Sequence, residues 1–254
     1  MVFVVLALGL LSAPARPADW TVVDETPPAE FQYEAWGGVD GAGTSWSAYG
    51  GLNAALFGDI RENGLRLRSS GGYGQYSYRR PIYDPFRRRM IWAGFQGQMN
   101  FLDMLLGYQQ AFGPLIIKAY AGLTEESHAV RPAGASGLAF DDENAVQGSK
   151  RGAKGALETW VRLGEWGFVQ TDVNWSQPFQ AYSGRLRLGH RLNPAWSWGL
   201  ETAVFGNANH DQGRAGGFLR FEWSQGEVSL SGGAGGDQTE ISGAYGSLNA
   251  MLRF

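Results

Sequence analysis

The chain has 254 residues, of which 38 are glycine and none cysteine, with 10 tryptophans, 10 tyrosines and 14 phenylalanines. No change of composition divides it, so one large domain is expected. A formal net charge of -3 lacks the basic excess that neutralises phosphates and excludes nucleic acid as a partner.

The chain begins with an apolar run from Val2 to Leu11, followed by the small residues "SAPARPA". This pattern predicts a secretory signal peptide over 1–18, with cleavage after Ala15 or Ala18. No Lys or Arg precedes the run, which an upstream start codon would explain. A short periplasmic segment, 19–29, contains "DETPPAE", and the folded domain is expected over 30–254. The absence of cysteine suits passage through an oxidising compartment.

From residue 30 onward the sequence alternates with period two and keeps no helical period. Strands are predicted near 30–39, 44–57, 64–78, 95–110, 115–125, 150–163, 168–176, 182–192, 195–206, 214–223, 227–235 and 239–254. Many exceed the roughly 5–6 residues common in soluble proteins and suit the roughly 9–11 tilted residues that cross a bilayer. In "KGALETWVRL", Leu157, Thr159, Val161 and Leu163 alternate with Glu158, Trp160 and Arg162. Leu65 and Leu67 alternate with Arg66 and Arg68, Leu186 and Leu188 with Arg185 and Arg187, and Leu219 and Phe221 with Arg220 and Glu222. One face thus stays free of charge while the other collects it. The reading is an all-β fold: a transmembrane antiparallel up-and-down β-barrel of about 12 strands, apolar outside and polar inside. A soluble closed barrel would need the apolar face turned inward.

Short links ("GDIREN", "AFGP", "GEWG", "NPA", "SQGE") alternate with longer ones ("RRPIYDPFRRRM", 125–149 and "NANHDQG"), as expected for periplasmic turns and outer loops. Trp46, Trp92 and Trp175 fall near the loop ends, and Trp166, Trp196, Trp223 and Phe254 near the turn ends, forming two interfacial girdles. Phe254 closes the last strand and resembles the terminal aromatic read by outer-membrane barrel assembly machinery.

The stretches "AWGGVDG", "SGGYGQYSY", "LLGYQ" and "GAKGALETW", in this order before a Gly-rich C-terminal half, resemble the cellulose biosynthesis protein BcsS family of alphaproteobacteria. The resemblance runs from about Tyr33 to Phe254. It implies a Gram-negative outer-membrane protein tied to cellulose synthesis or polysaccharide export, and it brings no catalytic residues.

Chemistry is sparse in the sequence. His128 and His210 are expected in outer loops and His190 on the outward face of a strand, without the Ser–His neighbourhood of a membrane hydrolase. "NANHDQG" offers too few ligands for a metal, so no enzyme, cofactor or metal is expected. The inward face would carry Arg66, Arg68, Lys118, Lys154, Arg162, Arg185, Arg187 and Arg220 opposite Glu34, Asp103, Glu158, Asp172, Glu201 and Glu222. Trp36, Tyr49, Tyr76, Tyr78, Tyr120, Trp160 and Tyr245 share that face. Two readings stand: a charge network that fills the lumen, and a lining whose rings stack on glucose units while polar groups bind hydroxyls. The five arginines of "RRPIYDPFRRRM" predict a basic outer loop against lipopolysaccharide. Expected partners are outer-membrane lipid, the assembly machinery, and cellulose or a synthase component. A small-solute porin, a non-conducting accessory and a lipid-modifying enzyme are the competing functions.

Overall fold

The computed structural model describes residues 30–84, 88–132, 146–208, 210–236 and 241–254. The expected signal peptide and periplasmic segment lie outside them. The described chain forms β1 (Tyr33–Ala42), β2 (Ser45–Ala55), β3 (Gly64–Asp84), β4 (Arg89–Phe112), β5 (Leu115–Pro132) and β6 (Gly148–Leu163), followed by β7 (Gly167–Ser176), β8 (Tyr182–Arg191), β9 (Trp196–Asn207), β10 (His210–Trp223), β11 (Gly226–Gly236) and β12 (Ile241–Arg253). A 3-10 turn at Pro178–Gln180 joins β7 to β8. Every strand pairs antiparallel with its neighbours in sequence. β1 pairs β12 from Glu34↔Arg253 to Ala42↔Tyr245, so the sheet closes into a barrel. Closure satisfies the backbone donors and acceptors that lipid cannot.

The outward face is the apolar one. On β4 it presents Leu102, Met104, Leu106 and Tyr108, and on β9 Trp196, Trp198, Leu200 and Val204, all exposed. At the turn end Tyr33 stacks on Phe254 at 5.7 Å, and Phe221 packs between Trp196 and Trp223. At the loop end Trp46 packs on Tyr73 and donates from Nε1 to Gln75 Oε1. These are the two girdles of a membrane-crossing band.

The wall is uneven in height. β3 and β4 span 21 and 24 residues, about twice what a bilayer crossing needs. On β4 the apolar run ends at Leu102 and gives way to exposed Asn100, Gln98 and Gln96. On β5 it ends at Leu123, followed by Glu125, whose Oε2 accepts from Arg151 Nε at 2.9 Å. Leu102 and Glu125 are cross-strand partners, so both strands place the edge of the band at one level. Above it β3 and β4 stay paired up to Asp84↔Arg89.

Most of "RRPIYDPFRRRM" is therefore strand and not loop, because an unbroken ladder of backbone pairs carries it; residues 85–87 lie outside the described set. Trp92 stands on this raised hairpin, well above the girdle expected for it. "NANHDQG" is likewise mostly strand, with His210 paired to Asn207. β5 runs on to Pro132, which puts His128 in a strand with its side chain buried in the barrel, not in an outer loop. Arg162, expected in the lumen, is exposed at the turn-end rim, one residue before its strand ends.

Inside, several aromatic rings lie flat on the wall because the residue directly across the ladder is glycine. Trp36 faces Gly51, Phe101 faces Gly72, Tyr76 faces Gly97, Tyr120 faces Gly107 and Phe168 faces Gly189. A Cβ at those glycines would stand 2.6, 2.4, 2.0, 2.3 and 2.0 Å from ring atoms. The glycines leave the space the rings occupy, a cross-strand pairing that also pins register. Gly107→Ala or Gly189→Ala should therefore cost about 1–3 kcal/mol of folded stability through forced ring displacement. Gly41→Ala, where a Cβ meets nothing within 4 Å, should change it little. The midpoint for loss of the heat-modifiable folded band in denaturant measures the difference.

Candidate functional site: a filled lumen and its loop-end vestibule

Period two points every second side chain inward, and, apart from Arg162, the charged set expected there is inside and buried. The lumen is crossed at several levels. Arg68 on β3 reaches Glu158 on β6, Nη2 to Oε1 at 2.6 Å, while its guanidinium lies 3.7 Å over the Tyr120 ring. Arg68 Nε also donates to Asn53 Oδ1, and Asn53 Nδ2 donates to Glu34. Lys154 on β6 donates to Asp103 on β4 at 2.7 Å, and Asp103 accepts from Ser70 and Thr124 as well. Arg185 pairs with Asp172 at 2.7 Å. Arg187 on β8 binds Glu201 at 2.6 Å and donates to Ser231 on β11. Arg220 on β10 extends to β6 and β7, 4.9 Å over Trp160 and 4.6 Å over Phe168, which themselves stack at 4.4 Å.

These contacts fit the charge-network reading for the middle of the lumen. Trp160 is 1% exposed, with Phe168 stacked on it and Arg220 above, and Tyr120 carries Arg68. A ring covered by a guanidinium has no free face for a sugar. The remaining expected members are buried as well. Trp36 and Tyr49 pack with Met99, Phe101 and Met251; Tyr49 donates to Asn249 Oδ1 at 2.6 Å. Lys118 is 4% exposed. The arrangement is a pinned polar core, with cation–π contacts screened from water.

The turn end is closed differently. The 56–63 connection, expected as a plain turn, tucks Ile60 against Phe31 and Ala55. Arg66 donates to the backbone carbonyls of Asp59, Ile60 and Glu62, and Gln109 Nε2 donates to those of Arg61 and Glu62 at 2.8 Å. Asp59 accepts from the Phe31 amide at 3.0 Å and from Arg61. Burial pushes the Asp59 carboxyl up, but the hydrogen bonds from Arg61 and Phe31 outweigh it and hold it below the usual carboxylate range. Sequence inspection missed this latch because Arg66 and Gln109 satisfy main-chain carbonyls, which leave no side-chain signature.

At the loop end the described residues leave a recess. A cavity of about 1140 Å³ lies between the raised β3–β4 hairpin and the lower rim of β9 to β12. Tyr78 and Phe95, stacked at 5.2 Å, meet it from one side, and Phe205, Arg214 and Tyr245 from the other. Arg214 is tied to Asp40 on β1 at 2.6 Å and lies 4.6 Å over the Tyr245 ring and 5.7 Å from that of Phe205. Among the described residues that line the cavity, none is a carboxylate. Of the expected lumen set, Tyr78 and Tyr245 reach this vestibule; Tyr76 packs below in the hairpin cluster. Arg214 and Phe205 were missed, although Arg214 shares the inward parity of Arg220.

His128 lies edge-on to Phe179 at 4.6 Å, and burial depresses its imidazole to about 4. His190 is exposed on the outward face. Among the described residues no three His, Asp or Glu side chains are grouped to hold a metal.

A closed antiparallel barrel with an uncharged outer band and a charged interior defines a transmembrane β-barrel of the outer-membrane type. Solved barrels share the fold: the transport unit of the autotransporter AIDA-I from Escherichia coli has TM-score 0.51 and 11% identity over 92% of this chain and 93% of that one. The translocator domain of the autotransporter NalP from Neisseria meningitidis has TM-score 0.50 and 13% identity over 91% and 90%. The chain belongs to the family of the cellulose biosynthesis protein BcsS, whose model matches residues 35–254. No curated protein matches it in sequence.

Two outcomes follow from this geometry. Arg68→Met strands the buried Glu158 carboxylate and should lower stability by roughly 3–5 kcal/mol, whereas adding Glu158→Met should restore most of it, because a buried pair swapped for apolar residues is often neutral. Equilibrium unfolding of the two variants in detergent separates these cases. Because the Asp59 carboxyl is held low in the folded chain, its stabilisation is complete above the unfolded value of about 3.9 and fades as pH falls through the lower folded value. The difference in unfolding midpoint between wild type and Asp59→Asn should thus be present at pH 6 and shrink below about pH 4.

Proposed function

We propose that this barrel supports cellulose production at the outer membrane as a non-enzymatic accessory that works at its ends and does not conduct a glucan chain through its lumen. The carrying observation is the set of contacts across the bore, Arg68 to Glu158, Arg187 to Ser231 and Arg220 to Trp160. Passage of a chain would require the buried Arg68–Glu158 pair to separate, at several kcal/mol, and Arg187 and Arg220 to leave their partners as well. In this reading a cleaved leader over 1–18 delivers the chain to the periplasm. Phe254, exposed at the turn-end rim, is then read by the barrel assembly machinery. The turn end faces the periplasm, within reach of a synthase component, and the loop end faces outward, where Arg79, Arg88, Arg89 and Arg131 meet lipopolysaccharide or the product.

Export through the lumen and diffusion of small solutes both require an open bore, and conductance tests both. Purified barrel in planar bilayers should show no steady current. A host lacking the gene should not accumulate glucan in the periplasm, while surface-held cellulose falls. Stable open channels in wild type, or glucan trapped in the periplasm of the deletion strain, would overturn the accessory reading in favour of export.

A further inference from the structure

We propose that the outward face of the raised wall formed by β3, β4 and β5 docks the anionic sugar headgroup of an outer-leaflet glycolipid. The inference deepens the accessory reading and rests on its orientation, with the loop end outside.

Charge is the first ground. The chain as a whole has a net charge of -3, yet this face is basic. Arg79 on β3 alternates with buried Tyr78 and Ile82, and Arg131 on β5 follows Val130, which packs in the hairpin cluster, so both arginines have outward parity and are exposed. Arg88 and Arg89 are exposed at the hairpin tip. From Tyr73 to Tyr83 on β3, Met90 to Asn100 on β4 and Ser127 to Arg131 on β5, no outward position holds a carboxylate. Among the described residues no ion pair involves any of these four arginines, whereas Arg151, at the band edge, is paired with Glu125. Like charges gathered on one sheet face repel, and an anion from outside relieves the repulsion.

Register is the second ground. Arg131 lies directly across the ladder from Gln96, and Arg79 is diagonal to Gln96, opposite Gly94. Gly94 leaves the space beside Arg79 without a side chain. Two long guanidinium arms on either side of one amide thus converge on a single phosphate or carboxylate.

Height is the third ground, and it selects the lipid. Gln96 stands six residues beyond Leu102, where the apolar run of β4 ends. At ~3.4 Å per residue and a strand tilt of about 40°, the arginines lie roughly 15 Å above the hydrocarbon edge. The headgroup zone of an ordinary bilayer adds only about 5–8 Å per leaflet, so the phosphate of a phospholipid falls short. A glycolipid that carries acidic sugars above its anchor reaches this level. Exposed Asn100 and Gln98 span the interval and offer amides to the sugar hydroxyls on the way. A neutral glucan would find those amides but would leave the cations unmatched.

The test uses the full barrel in non-ionic detergent, with affinities read by microscale thermophoresis. The probes are rough lipopolysaccharide, which is lipid A bearing an anionic inner core, lipid A alone, and cellohexaose. The core-bearing form should bind more tightly than lipid A. Arg79→Gln and Arg131→Gln should each weaken it roughly three- to tenfold, the scale of one exposed charge-assisted contact. About 0.5 M salt should remove most of that difference. Arg162→Gln, at the turn-end rim, should leave binding unchanged. Equal binding of lipid A and the core-bearing form, binding insensitive to both arginine variants, or arginine-dependent binding of cellohexaose would overturn the proposal. Displacement of the glycolipid by inorganic phosphate would also overturn it, by revealing a site for a free anion. Silent bilayers with arginine-insensitive glycolipid binding would refute the docking face alone. Conducting bilayers with arginine-dependent binding intact would refute the closed lumen alone and keep the face.

Discussion

The rest of the molecule depends on how its interior charges are held. A wall closed by hydrogen bonds buries the Arg, Lys, Asp and Glu side chains of the mid-lumen away from bulk water, and an isolated buried charge costs several kcal/mol. The answer here is layered. A glycine in one strand makes room for an aromatic ring from the next, and a cation lies over the ring while its nitrogens reach a carboxylate on a third strand. Gly107, Tyr120, Arg68 and Glu158 form one such stack, and Gly189, Phe168 and Arg220 form the lower part of another. Removing any layer exposes the next, so the abundant glycine and aromatic content and the interior charges belong to one device.

That device also explains why twelve strands can enclose a filled bore. A barrel of this size lies between those filled by side chains and those holding an open channel. Long side chains lying on flattened rings can reach three or four strands around the wall, as Arg68 and Arg220 do. The turn end needs another solution, because its residues come from an irregular connection with bare carbonyls. Arg66 and Gln109 supply donors to that backbone, and Asp59 ties it to Phe31.

Much of this was legible in the sequence because it follows from a period of two. Alternation in "NGLRLR" and "YSGRLRLGHRL" assigns each residue to lumen or lipid, and twelve such runs with an even count lead to the closed barrel. What alternation cannot show is height. Residues 79–84 lack the regular charge pattern, since an outward face above the membrane is free to be as polar as an inward one, and so "RRPIYDPFRRRM" reads as loop. His128 was misplaced for the same reason. Nor does parity reveal what covers each inward ring: Trp160 and Tyr78 look equivalent in sequence, yet one lies beneath Arg220 and the other is stacked between Tyr76 and Phe95. That distinction depends on register between strands far apart in the chain.

The unequal wall turns these observations into a functional direction. A barrel needing only to sit in a bilayer gains nothing from strands twice the crossing length, and extra exposed edges invite unwanted pairing. Here the extension is confined to one side, keeps its pairing to Asp84↔Arg89, and carries amides outward with rings toward the mouth. In the accessory reading such a surface would serve the cellulose pathway at the loop end and not inside the bore. Membership in a cellulose biosynthesis family and a mid-lumen crossed by paired side chains are therefore compatible, provided the work is done at the rim.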